Sequence, residues 1–239
     1  MSGVHQGIAD YLRGRREAVG LTRAELSRLA GISEALIQKI EQGTRSPTAT
    51  ALSALCDALG VSPQFRDHAA GLLQPAPVLE FHDGLPDSTE LDFLRSMPFP
   101  ACFHTPPAVD VLAANDAYMR WFPGIVPGAN IVEWMMTNPA AREVTAEWER
   151  EAHLIVYGFR YMAPAFLAPE RIEEIIRACA AAPDWERFWS TDIVPVENPR
   201  RPIRMKSPDT GEWVAMSSQI LRFEFPRRAW WMHTMNPIH

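Results

Sequence analysis

The stretch LTRAELSRLAGISEALIQKIEQG, Leu21 to Gly43, restricts the possible folds more than any other part of the chain. Thr22, followed three residues later by Glu25, is a capping-box pair whose side chains satisfy each other's orphan amides at a helix start. Ala30-Gly31-Ile32 then interrupts the apolar period. Ser33 can cap a new helix running to about Gln42, with Ile37 and Ile40 on one face, before Gly43 stops it. Neither short helix can build a core alone, so flanking segments must complete it. Residues 5–19 read as a first helix with Ile8, Leu12 and Val19 apolar and Gly20 at its end. Pro47 opens a fourth, with Leu52, Leu55 and Leu59 at helical spacing, and LGVSP closes the unit. The expectation for residues 1–66 is an all-α helix-turn-helix bundle of about five helices.

Such a pair of helices, crossing at a wide angle, lets the second enter a DNA major groove of ~12 Å while the first spans the backbone. Side chains early in the third helix then face base edges. Lys39 can donate to guanine, Gln38 can pair with adenine, Glu34 can accept from cytosine and Ala35 can touch a thymine methyl. Arg23 and Arg45 bracket the motif within reach of phosphates, helped by amides at the helix starts next to Thr22 and Ser33. A formal charge of -6 for the whole chain argues against phosphate contact only superficially. Residues 1–60 carry seven Lys/Arg and six Asp/Glu, hence +1, and the other 179 carry sixteen and twenty-three, hence -7. The implied partner is a double-stranded DNA operator; the alternative is a protein-interaction module using this bundle as a docking surface.

Residues 67–98 mix prolines with acidic residues around a short helical piece, ELDFLRS, and read as a linker or docking segment. Its Phe81, Leu91, Phe93 and Leu94 would be costly to expose. Over 99–239 the pattern runs from two short strands, ACFHT and VDVLAAN, through helices at 116–122, 131–137, 140–159 and 170–182. It closes with strands in PIRMKSP, WVAMSSQILRFEF and AWWMHTM. In the third helix Val144, Trp148, Ala152, Ile155 and Phe159 form one stripe; in the fourth, Ile172, Ile175, Ile176 and Cys179 do. Strands at both ends with helices between them imply an α+β domain, an antiparallel sheet with segregated helices. Eight Trp and ten Met are generous for such a chain, and rigid rings with adaptable thioethers suit an apolar small-molecule cavity as well as a core. The candidate lining is Trp134, Met135, Trp148, Phe166, Trp189, Met216 and Trp231.

Other classes are disfavoured. No apolar run approaches the ~18–20 residues of a membrane span, and the N-terminus lacks the apolar stretch of a secretory signal. Cys56, Cys102 and Cys179 are scattered and apolar in setting, which points to a reducing cytoplasm and to core positions. The seven His show no metal-ligand spacing, Glu149 and His153 read as a solvated helical pair, and no GxSxG, P-loop or GxGxxG occurs. No catalytic residue, metal or cofactor is therefore expected; an enzyme in the Trp-rich domain is the remaining alternative.

LTRAELSRLAGISEALIQKIEQGTRSP resembles the phage-repressor-like (Cro/XRE-type) helix-turn-helix family over about residues 6–62. The resemblance implies that Arg16 pairs internally with Glu41 and that Thr22, Arg23, Arg45 and the positions from Ser33 to Lys39 face DNA. VDVLAANDAYMRWF, NIVEWMMTNPAAREVTAEWERE, FWSTDIV and SPDTGEWVAMSSQIL are similar to landmarks of the MmyB-like, PAS-related ligand-binding domain, in order through about 100–236. Matching positions are Asn115, Asn130, Trp134, Pro139, Arg142, Trp148, Trp189 and Gly211. NP stands for the usual DP before the long helix, SP for the usual HP before the hairpin, and Trp230-Trp231 for smaller residues. The resemblance implies a cytoplasmic bacterial transcription regulator acting as a homodimer and sensing a small apolar, fatty-acid-like ligand.

Overall fold

The computed structural model describes residues 3–61, 66, 84–191, 193, 202–224 and 227–238. The chain divides into two units: Met1–Pro77 with Arg160–Ala168 and Ile193–Pro199, and Val78–Phe159 with Pro169–Asp192 and Arg200–His239.

In the first unit the described residues form α1 (Gly3–Ala18), α2 (Arg23–Ala30), α3 (Glu34–Glu41) and α4 (Ala49–Ala58); the fifth helix expected from the sequence falls outside them. The start signals act as their chemistry requires. The Thr22 amide donates to Glu25 Oε2 at 2.8 Å and the Glu25 amide donates back to Thr22 Oγ1 at 3.2 Å. Ser33 and Thr48 cap α3 and α4 through Leu36 and Ala51 amides, so the fourth helix starts after Pro47 rather than at it. Gly31 ends α2 in the left-handed region, φ 66°, where a side chain is strained. Ile8, Leu12, Leu26, Ile37, Ile40, Leu52, Leu55 and Leu59 then close a single apolar core. Two arginines of α1 are buried with it: Arg15 donates from Nε to the Leu59 carbonyl at 3.2 Å, tying down the end of α4.

The second unit is built on a five-stranded sheet, β1 (Ala101–Thr105), β2 (Asp110–Ala114), β3 (Ile203–Lys206), β4 (Trp213–Glu224) and β5 (Arg227–Pro237), in the order β2-β1-β5-β4-β3. Every neighbouring pair is antiparallel. The helices are α5 (Ser88–Ser96), α6 (Asp116–Trp121), α7 (Ile131–Thr137), α8 (Pro139–Val144), α9 (Trp148–Phe166, to Phe159 in this unit), α10 (Pro169–Cys179) and α11 (Trp185–Ser190). The α+β reading therefore stands. Side chains alternate across β1, which splits its environment in two. Ala101 and Phe103 face a cluster with Leu94 of α5 and Trp230 and Met232 of β5, while Cys102 and His104 lie on the opposite face. Arg228 clamps α5 to β5, donating from Nε to Glu90 Oε1 at 2.6 Å.

One expected helix is wrong. Residues 140–159 are not continuous: α8 stops at Val144, Thr145 is extended (φ -113°, ψ 111°), and α9 starts at Trp148. Thr145 instead bridges Met205 of β3, and the Ala146 amide donates to the Arg204 carbonyl at 2.9 Å. The β-branched Thr145 is cheap to extend, and a partner strand distant in sequence makes extension the better option. Val144 accordingly does not share a helix with Trp148, Ala152, Ile155 and Phe159.

Candidate functional site

On α3 the apolar and polar positions separate cleanly. Ile37 and Ile40 are each 1% exposed, whereas Ser33, Glu34, Ala35, Gln38 and Lys39 are all exposed. Thr22 is exposed at the head of α2, and Arg45 is exposed in the loop after α3, its amide donating to the Lys39 carbonyl at 3.2 Å. The unit thus offers a short exposed helix with mixed donors and acceptors, flanked by arginines and by the capped start of a second helix.

Behind that surface lies a buried ionic knot. Glu41, 1% exposed, accepts from Arg16 Nε at 2.6 Å and Nη2 at 3.1 Å, and from Arg23 Nε at 2.8 Å. Arg16 also donates to the Leu21 carbonyl at 2.9 Å. Burial alone would raise the Glu41 pKa, but the two guanidiniums outweigh it and hold the carboxyl below its ordinary value. The internal Arg16–Glu41 pair expected from the sequence is present. Arg23 is half given to it, with its Nε bound inward and its side chain 36% exposed, so any phosphate contact is left to its terminal nitrogens.

The candidate ligand-lining residues fall into separate groups. Trp148 Nε1 donates to the Met135 carbonyl at 2.8 Å and its ring meets Phe188, whereas Trp134 Nε1 donates to the Pro123 carbonyl at 2.9 Å and its ring meets Phe122. Arg142 lies 3.5 Å over the Trp148 ring and donates to Asp184 at 2.6 Å. Trp189 stacks on Trp185 at 5.1 Å. Met216 is fully buried in β4, and Trp231 is paired across the sheet with His104 and Arg222. The Phe166 side chain lies outside the described residues. The family landmarks mostly serve as joints. Asn115 caps α6 through the Tyr118 amide and donates to the Phe99 carbonyl at 2.9 Å; Asn130 caps α7 and donates to the Ala108 carbonyl at 2.7 Å. Glu149 pairs with Arg187, and His153 Nε2 sits 3.1 Å from the Thr191 carbonyl.

Sequence reading missed a polar group on the face of the sheet opposite α5. His233 lies between the Tyr118 hydroxyl, 3.2 Å from Nδ1, and Ser218 Oγ, 3.0 Å from Nε2. The Cys102 thiol lies in the same layer, pushed up to about 12 by burial. His104, 3% exposed, stands two residues further along β1, on the same face. Apolar periodicity marks β1 and β5 as strands but carries no sign of this pairing, because its members lie up to 115 residues apart.

Residues 8–69 match the family of helix-turn-helix domains. Residues 88–237 match the MmyB-like transcription regulator ligand binding domain. The chain is similar to an uncharacterized HTH-type transcriptional regulator of Mycobacterium tuberculosis, 29% identical over 81 residues, 34% of this chain and 58% of that protein. It is also similar to the transcriptional regulator ClgR of the same organism, 39% identical over 56 residues, 23% of this chain and 50% of that one. The chain thus spans about half the length of the curated relatives it matches. Among solved structures, the clp gene regulator ClgR from C. glutamicum aligns with 23% identity and a TM-score of 0.26, covering 31% of this chain and 96% of that one.

Proposed function

The chain belongs to the MmyB-like transcription regulators, and from that premise we propose that it binds a specific operator as a homodimer and responds to a small, mainly apolar molecule. The observation that carries the reading is the partition of α3, where Ile37 and Ile40 are buried and Ser33, Glu34, Ala35, Gln38 and Lys39 all lie in solvent. A helix on an ordinary protein surface needs no such row of base-compatible donors and acceptors beside Thr22, Arg23 and Arg45. In this reading Lys39, Gln38, Glu34 and Ala35 read bases, and the arginines with the amides near Thr22 and Ser33 hold phosphates.

The second domain is the sensor, with its lining drawn from Trp134, Met135, Trp148, Trp189, Met216 and Trp231; the expected Phe166 falls in the first unit, its side chain outside the described residues. Occupancy changes operator affinity only as far as the ligand binds the two states unequally. Site of action is the cytoplasm, in keeping with three free cysteines. A gel shift and footprint on the region upstream of its own gene test the proposal. A protected site that survives competitor DNA is expected; no protection at any protein concentration would favour the docking-module alternative.

A further inference from the structure

Among the buried polar groups of the second unit, one stands apart. Asn115, Asn130 and Thr234 are saturated by backbone carbonyls and amides, and both ring nitrogens of His233 face hydroxyls. His104 is 3% exposed, yet its Nδ1 has no hydrogen-bond partner. A buried polar atom left unpaired is uncommon and costly in a settled fold, and it calls for an explanation.

The register supplies one. His104 lies opposite Trp231, and Trp231 lies opposite Arg222, all on one face of the sheet. Exposure rises along this row from His104 through a partly buried Trp231 to an exposed Arg222, whose guanidinium lies 5.6 Å from the Trp231 ring. The adjoining row pairs His233 with Ile220, which is 58% exposed. Along this face exposure thus falls from Arg222 and Ile220 through Trp231 to the buried His104, whose Nδ1 has no hydrogen-bond partner.

We infer that His104 is the polar end of the sensor site and that it recognises a neutral hydrogen-bonding group, a carbonyl or hydroxyl, on an otherwise apolar molecule. This rests on the ligand-sensing reading above and narrows its ligand class. Burial pushes His104 down to about 4 and, with the charge of His104 as a second cause, His233 down to about 3. Near neutral pH this layer is therefore uncharged and offers a carboxylate no countercharge, whereas a neutral imidazole can pair with a ketone or an alcohol. Among the described side chains of β4 and β5 on this face the cation is Arg222, at the exposed rim; an anionic head held there would leave His104 unpaired.

Full-length protein labelled with nitrogen-15 at histidine is titrated near neutral pH with 2-decanone and, separately, with decanoate. The expected result is a saturable shift of the His104 ring nitrogens by the ketone, binding at least about tenfold tighter than decanoate, with the advantage erased in His104→Phe. Because the head-group comparison is made on the unmodified chain, it holds even if that variant folds poorly. Equal or tighter binding of decanoate, lost in Arg222→Gln, or a ketone that binds without moving the His104 signals, overturns the inference while leaving a sensor domain intact. Binding of neither probe removes the sensor reading as well.

Discussion

At the scale of single residues, the proposed function divides the exposed side chains of the first unit into those that would read sequence and those that would only hold phosphate. Lys39 lies in the exposed row of α3 and Arg45 in the loop beyond it. Lys39→Ala should weaken operator binding by ~1–3 kcal/mol and leave binding to random DNA nearly unchanged. Arg45→Ala should lower both alike and flatten the salt dependence. Paired titrations on operator and scrambled DNA decide it, and equal losses for Lys39→Ala would contradict its role. Glu41 is a different kind of residue, because its removal strips the buried Arg16 of its buried countercharge and leaves it the Leu21 carbonyl and the exposed Glu17: Glu41→Ala should cost about 3 kcal/mol of stability. Its folded pKa lies below the ordinary 4.5. The stabilisation is therefore present above that value and lost as pH falls through the lower folded value. Denaturant unfolding followed from neutral pH into the acid range should show that loss in the native chain and a flatter profile in Glu41→Gln. The caps and the Arg16–Glu41 pair were legible in the sequence because their chemistry is local or fixed by a long, specific motif. The His233–Tyr118–Ser218 layer was not, since it exists only once β4, β5 and α6 are in register.

At the scale of elements, helix starts and stops were legible wherever one short-range rule decides. Thr22 and Ser33 cap the helices expected of them, while Thr48, Asn115 and Asn130 obey the same rule at starts whose caps the sequence reading left unassigned. The continuous helix expected over 140–159 failed because its break is imposed by β3, which a periodicity count cannot include. Two glycines show how differently a turn can depend on its residue. At Gly31, φ 66°, an added Cβ meets nothing within 4 Å, so Gly31→Ala bears only the left-handed strain, ~1–2 kcal/mol. At Gly124, φ 92°, the same atom comes within 2.5 Å of Asn138 Nδ2, and the Asn138 side chain caps α8 through the Ala140 amide at 2.9 Å. Displacing that cap adds about 1 kcal/mol to the strain. Calorimetric unfolding should therefore rank Gly124→Ala below Gly31→Ala; equal destabilisation would mean that Asn138 moves aside without losing its bond.

At the scale of the whole molecule, the charge asymmetry matters more than the net charge. The first 60 residues are +1 and the rest -7, so under the proposed function attraction to DNA falls to the first unit and a generally basic surface does not strengthen it. Pairing two readers is the economical solution, since two half-sites on one duplex combine their affinities once the molecule is dimeric. The geometry this demands is strict. Two identical recognition helices related by a two-fold axis meet the same face of DNA only when half-site centres lie about one helical turn apart, ~34 Å. Inserting about 5 bp between the half-sites turns the second one to the far side of the duplex, whereas about 10 bp restores the face at a larger separation. The expected pattern is a severe loss of affinity for the shorter insertion and partial recovery for the longer one, read by gel shift on otherwise identical operators. A protein that binds as independent monomers would be indifferent to both insertions, and that indifference would remove the dimer from the mechanism while leaving the α3 assignments untouched.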